Sequence, residues 1–156
     1  MGYAERVLQP GETIAYRGRL HWVIYLSGLL ISLFSLALLG GSLAPRAPNV
    51  RNALLIIALI GLAFGLAKIC QAWFQSTTTE IIVTNRRVIC KTGFISRSSI
   101  EMNLDKIESV LVQQGILGRM LDYGALIIRG VGSGIEPVAN LAEPLKFHQY
   151  VNASAG

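Results

Sequence analysis

Two stretches of this chain keep an apolar pattern without a break, and the remainder alternates in short runs. Between residues 20 and 45 there is no Asp, Glu, Lys or Arg, and between 52 and 75 the only charge is Lys68. Read as helices, 21–43 and 53–74 extend about 33–35 Å, enough for a hydrocarbon core of about 30 Å. The pattern predicts two transmembrane helices joined by an external loop, 44–52, whose Pro45 and Pro48 enforce a tight antiparallel hairpin. A cleaved signal peptide is the competing account of the first run. The run is too long for it, Glu5 and Glu12 precede it, and Pro45 follows the best cleavage position.

Past residue 75 the period changes to two, with turn residues between segments, which predicts a small antiparallel β domain over 75–156. Strands are expected at 78–84 and 87–92 about an Asn85-Arg86 turn, at 94–104 and at 107–113. A turn or two of helix is expected from Gly115 to Leu121, then a last hairpin, 125–129 and 135–140, about the glycine-rich 130–134. Pro144 sits where a first helical turn tolerates it, and Leu145, His148 and Val151 share one side of a closing helix. Six strands and a helix in this length predict a strongly bent sheet or partly closed barrel.

Charge then orients the chain. Arg6, Arg17 and Arg19 precede the first helix, Arg46 and Arg51 lie in the loop, and Lys68, Arg86, Arg87, Lys91 and Arg97 flank or follow the second. The excess lies on the side of the two termini, so residues 1–20 and the β domain are expected in the cytoplasm. Trp22, Tyr25 and Trp73 fall at the cytoplasmic helix ends as interface anchors, and Lys68 can snorkel toward the same surface. With no acidic residue in either helix, an ion or proton site at Lys68 is disfavoured. Gly28 with Ser32, and Gly61 with Gly65, form small-residue notches at matched depth, Gly28 near Gly65 and Ser32 near Gly61. They are expected to pack the hairpin internally, with a homo-oligomer contact as the alternative.

Several runs together resemble the bacterial pleckstrin-homology (PH) membrane proteins. They are 79–89 (TEIIVTNRRVI), Lys91-Thr92-Gly93, 105–110 (DKIESV), Gly115-Ile116-Leu117-Gly118-Arg119, Gly124 and 130–134. Pro10-Gly11-Glu12, Tyr16-Arg17-Gly18-Arg19 and His21-Trp22 match as well. The resemblance implies a PH-like domain with a C-terminal helix, attached to a membrane hairpin in the bacterial cytoplasmic (inner) membrane. It implies little about activity, since function does not follow from fold.

Catalytic chemistry is sparse. His21 and His148 are the only imidazoles, and Cys70 and Cys90 match no metal spacing, so no catalytic residue, metal or cofactor is expected. The glycine run 130–134 lacks a following Gly-Lys-Ser/Thr and leads into a strand, so it reads as a hairpin turn rather than a phosphate loop. Eight Lys and Arg face seven Asp and Glu from residue 75 onward, so most of the net +5 lies elsewhere and nucleic acid is not an expected partner. One basic patch remains, Arg86, Arg87, Lys91 and Arg97, with no acidic residue between Glu80 and Glu101. It is a candidate for anionic lipid or a partner, against a bland account as internal salt bridges. The expected function is a non-enzymatic membrane-anchored module that binds a protein partner, itself or anionic lipid. The alternative is an accessory subunit of a larger transport or secretion complex.

Overall fold

A computed structural model describes residues 8–44, 47–92, 98–131 and 133–155. The chain forms two compact units, Met1–His21 with Gln75–Gly156, and Trp22–Phe74.

The second unit is helical. A 3-10 turn over Trp22–Tyr25 leads into α1, Leu26–Ser42, and α2 runs over Pro48–Thr78, its last residues already belonging to the other unit. Pro48 is the first residue of α2, where its missing N–H costs nothing. Trp22–Ser42, the 3-10 turn together with α1, and α2 are each long and apolar enough to cross a membrane, with mean hydropathy of 2.2 and 2.5. Helix α2 extends past both ends of the stretch 53–74, because neither Arg51 nor the polar residues after Phe74 oppose helix. Exposed apolar side chains cover much of its surface, among them Ile56, Ile57, Leu59, Ile60 and Phe64.

What is buried is small and spaced by seven. Helix α1 buries Gly28, Ser35 and Ser42, and α2 buries Ala58, Gly65 and Ala72. A strict seven-residue repeat favours a left-handed pair, and small residues let backbones approach. A Cβ on Gly28 would lie 3.0 Å from Gly65 O and 2.8 Å from Ile69 Cγ1, so Gly28 and Gly65 do meet. Ser32 also lies against Gly65, whereas the neighbour of Gly61 is Ser35 rather than Ser32. Ser35 is one turn away from the depth-matched partner and donates its hydroxyl to Ile31 O at 2.8 Å. A Cβ on Gly61 would stand 3.4 Å from Ser35 Cβ, close to the 3.5–4.5 Å of a disulfide. The Ser35→Cys/Gly61→Cys chain is therefore expected to form an intramolecular disulfide on mild oxidation in detergent, visible as a monomeric band with altered mobility. Exclusively dimeric product would refute the pairing.

The first unit is built on two antiparallel sheets, β1-β2-β3-β4 and β5-β6-β7. Their strands are β1 Ile14–Gly18, β2 Glu80–Thr84, β3 Arg87–Thr92, β4 Ser98–Asn103, β5 Ile107–Gln113, β6 Tyr123–Gly130 and β7 Ser133–Ala142. A short helix α3, Ile116–Leu121, joins β5 to β6, and α4, Pro144–Ala155, closes the chain. The sheets do not close into a barrel. The stretch 14–18, which the sequence pattern leaves in an N-terminal segment, is a strand paired with β2, Gly18 opposite Ile81. The apolar helices are thus inserted in the chain between the first two strands of one sheet. Residue Thr78 ends α2 rather than starting a strand.

Alternation decides the core. Ile81, Val83, Val88, Cys90 and Met102 from the first sheet meet Leu126, Ile128, Val138 and Leu141 from the second, with Phe147 and Val151 of α4 filling the gap. Phe147 and Val151 share a helix face. Leu145, expected on that side, is exposed, because Pro144 and Phe147 set the buried stripe one position over. The glycine run at 130–134 includes the β6–β7 turn, Gly130 pairing with Ser133.

Candidate functional site

The densest polar constellation lies at the β2–β3 turn. Gln9-Pro10-Gly11-Glu12 makes a turn in which Glu12 N–H donates to Gln9 O at 2.9 Å and Gly11 has φ of +81°. Pro followed by a left-handed Gly is what a type II turn requires. The next residues are tied to Asn85, whose N–H donates to Thr13 O at 3.1 Å and whose Oδ1 accepts from Thr13 N–H at 3.1 Å.

This turn points the Glu12 carboxylate inward. Arg87 grips it with two parallel bonds, Nε to Oε1 and Nη2 to Oε2, both 2.9 Å. The Thr84 hydroxyl donates to Oε1 at 2.7 Å and the Gln9 amide to Oε2 at 2.8 Å. Arg87 spends its remaining nitrogen on Glu101, Nη1 to Oε2 at 2.6 Å. Such bidentate charge-assisted pairs are the strong ones. Burial by itself would raise the Glu12 carboxyl. The Arg87 bonds, the Gln9 amide and the Thr84 hydroxyl outweigh it and hold the group at about 2 against an ordinary 4.5. Each oxygen accepts two donors, so Glu12 is a fixed anion and not a proton-transfer group.

The basic patch therefore divides. Arg87 is buried and committed to Glu12 and Glu101, an internal salt bridge whose main partner lies 75 residues away in sequence. Arg86 is exposed at the turn, on a cavity of about 460 Å³ lined also by Gln9, Asn85, Asn103 and Asp105. Lys91 sits opposite Glu80 at the other end of the hairpin, about 16 Å from Arg86 by strand rise. Arg97 lies outside the described residues. The strand geometry separates Arg86 from Lys91.

The two ends differ in what adjoins them. The chain leaves this unit after His21 and returns at Gln75. Gly18 pairs with Ile81 and Glu80 with Lys91, so both junctions fall at the Lys91 end and Arg86 lies at the opposite one. The junction strand is pinned to the second sheet by Ala142 N–H to Arg19 O at 2.9 Å and His21 N–H to Asn140 O at 2.7 Å.

A family model for the bacterial PH domain matches residues 25–155. The chain belongs to the bacterial PH domain family. The match takes in most of the helical pair and six of the seven strands among the described residues, leaving β1 and Glu12 outside it, so their part in the PH domain is seen only in the tertiary structure. No curated protein matches the chain. PH-like domains are generally non-enzymatic interaction modules, and among the described residues no group of three His, Cys, Asp or Glu could hold a metal.

The remaining candidates have local settings. His21 stacks on Tyr123, ring centroids 5.2 Å apart, and His148 is 3.5 Å from Asn152. Cys90 is buried in the PH core, which pushes its thiol up to about 11 and leaves it unreactive. Trp22 and Trp73 are exposed near the ends of the helical unit, Trp73 edge-on to Phe74 at 5.1 Å, while Tyr25 closes the 3-10 turn before α1. The Lys68 ammonium lies 5.8 Å from the centre of the Phe64 ring, one turn earlier in α2.

Proposed function

We propose that this chain is a membrane-anchored PH-like interaction module. In this reading α1 and α2 span the cytoplasmic membrane, and both termini and the PH domain lie in the cytoplasm. The observation that carries it is the insertion. A PH sheet whose first and second strands are separated by two apolar helices folds only if the helix pair begins and ends on its own side of the bilayer, α1 crossing outward and α2 crossing back. The excess of Lys and Arg flanking those helices on the terminal side supports the cytoplasm as that side.

The cation that remains accessible at the β2–β3 turn, Arg86, stands at the end away from the chain junctions. That position favours a protein partner or a second copy over the lipid of the same membrane, whereas Lys91 belongs to the junction end.

Topology is tested by thiol labelling in a Cys70→Ala background. An impermeant maleimide should label Ala47→Cys in intact cells and Asn152→Cys only after permeabilisation. The reverse order would overturn the orientation. Copurification in mild detergent then tests the module, with Arg86→Glu expected to lose a stoichiometric protein that Lys91→Glu retains. If instead Arg86→Glu abolished binding to phosphatidylglycerol vesicles, the ligand would be lipid.

A further inference from the structure

Helix α3 is apolar on the outside. Ile116 is 83% exposed, Met120 77% and Leu117 64%, and Leu121 is exposed beside them. This orientation is built in rather than loose. Gly118 is the buried residue of the helix, and a Cβ there would stand 2.5 Å from Tyr123 O, so the helix is pressed against the start of β6 at its one position without a side chain. The Gln114 side chain clamps the same place, Nε2 donating to Tyr123 O at 3.2 Å, and Asp122, at φ of +55°, caps the helix with its N–H on Gly118 O. With Gly118 inward, the four large side chains face out. A contiguous apolar cluster held outward by such packing marks a contact surface.

Its place in the PH domain says what the contact is. Tyr123, directly after α3, carries the stacked ring of His21, and His21 immediately precedes Trp22, the first residue of the apolar helical stretch. Helix α3 therefore stands at the end of the domain where the chain departs for α1 and returns from α2. Exposed Arg19 and Arg119 lie at this end, and Lys91 with them. Glu143 is paired with Lys146 at 2.9 Å and Glu80 stands opposite Lys91 across the strands, which leaves Arg19 and Arg119 against Asp122, an excess of one positive charge. The end combines apolar knobs with a cationic excess, the complement of an anionic headgroup layer over acyl chains.

We propose that α3 seats in the interface of the bilayer crossed by α1 and α2, with Ile116, Leu117, Met120 and Leu121 below the headgroups and Arg19 and Arg119 among them. It is a third attachment of the chain to the membrane, in addition to the two helices. The proposal rests on reading α1 and α2 as spans.

The test uses the full chain in nanodiscs of phosphatidylethanolamine and phosphatidylglycerol. Single nitroxides are introduced by Ile116→Cys, Met120→Cys, Arg86→Cys and Ile60→Cys in a Cys70→Ala background, with buried Cys90 retained. Collision with oxygen should exceed collision with a nickel chelate at 116, 120 and 60, and the order should invert at 86. Chelate-accessible labels at 116 and 120 with a lipid-exposed label at 60 would overturn the α3 proposal alone. An aqueous label at 60 would overturn the spanning reading and this proposal with it. Spin broadening between copies labelled at 120, with neither probe reaching the site, would overturn it in favour of a second copy as the occupant.

Discussion

Glu12→Gln is expected to lower the stability of the PH domain by about 3 kcal/mol. For roughly 100 residues this moves the thermal midpoint down by about 12–24 °C. Gln has the same shape, but its amide nitrogen is a donor facing donors, and its neutral oxygen leaves the buried Arg87 charge to Glu101 alone, which is partly exposed. Breaking a buried pair costs more than removing it, so Glu12→Leu combined with Arg87→Met should recover part of the loss. The measurement is thermal unfolding of the purified chain in detergent, followed by the circular dichroism of the sheets. A midpoint shift of only a few degrees for Glu12→Gln would refute the role. The pH dependence has a definite sign. A carboxyl that titrates near 4.5 unfolded and about 2 folded contributes its full stabilisation above 4.5 and loses it as pH falls toward 2. Wild-type stability should therefore decline across that window, and Glu12→Gln should flatten the decline.

Gly28→Leu is expected to separate α1 from α2. The added Cβ meets Gly65 O and the Ile69 N at 3.0 Å, and backbone atoms have no rotamer by which to yield. Overpacking of this kind costs about 1–3 kcal/mol where side chains can adjust and more where they cannot. Gly65→Leu presses on Ser32 N and Gly28 O in the same way. Gly40 supplies the control, since a Cβ there meets nothing within 4 Å. In the Ser35→Cys/Gly61→Cys background, Gly28→Leu should reduce the disulfide yield severalfold and Gly40→Leu should leave it unchanged. Equal yields would mean that the small-residue seam does not hold the pair.

The elements with strong local signals were legible in the sequence. The two apolar runs, the Asn85-Arg86 hairpin, the short helix before Gly124 and the proline-started closing helix each carry a period or a turn residue that acts within a few positions. The seam was half legible. GxxxG spacing pointed to Gly61 and Gly65, but the seven-residue series of Gly28, Ser35 and Ser42 against Ala58, Gly65 and Ala72 carries the burial, and it was present to be read. Glu12 was missed as the partner of Arg87, although Pro10-Gly11-Glu12 is a recognisable turn. Nothing in a turn says which strand, dozens of residues on, its third residue will meet.

By itself the sequence determined two apolar helices, an antiparallel domain with a C-terminal helix and membership in the PH family, because periodicity and turn chemistry are properties of neighbouring residues. Only the tertiary structure decided that the strand before the helices belongs to the sheet after them, that Arg87 is buried while Arg86 is exposed, and that α3 turns its apolar side outward. Each of these depends on strand register or on packing between distant segments, and a shift of one residue would reverse which side chains are inside.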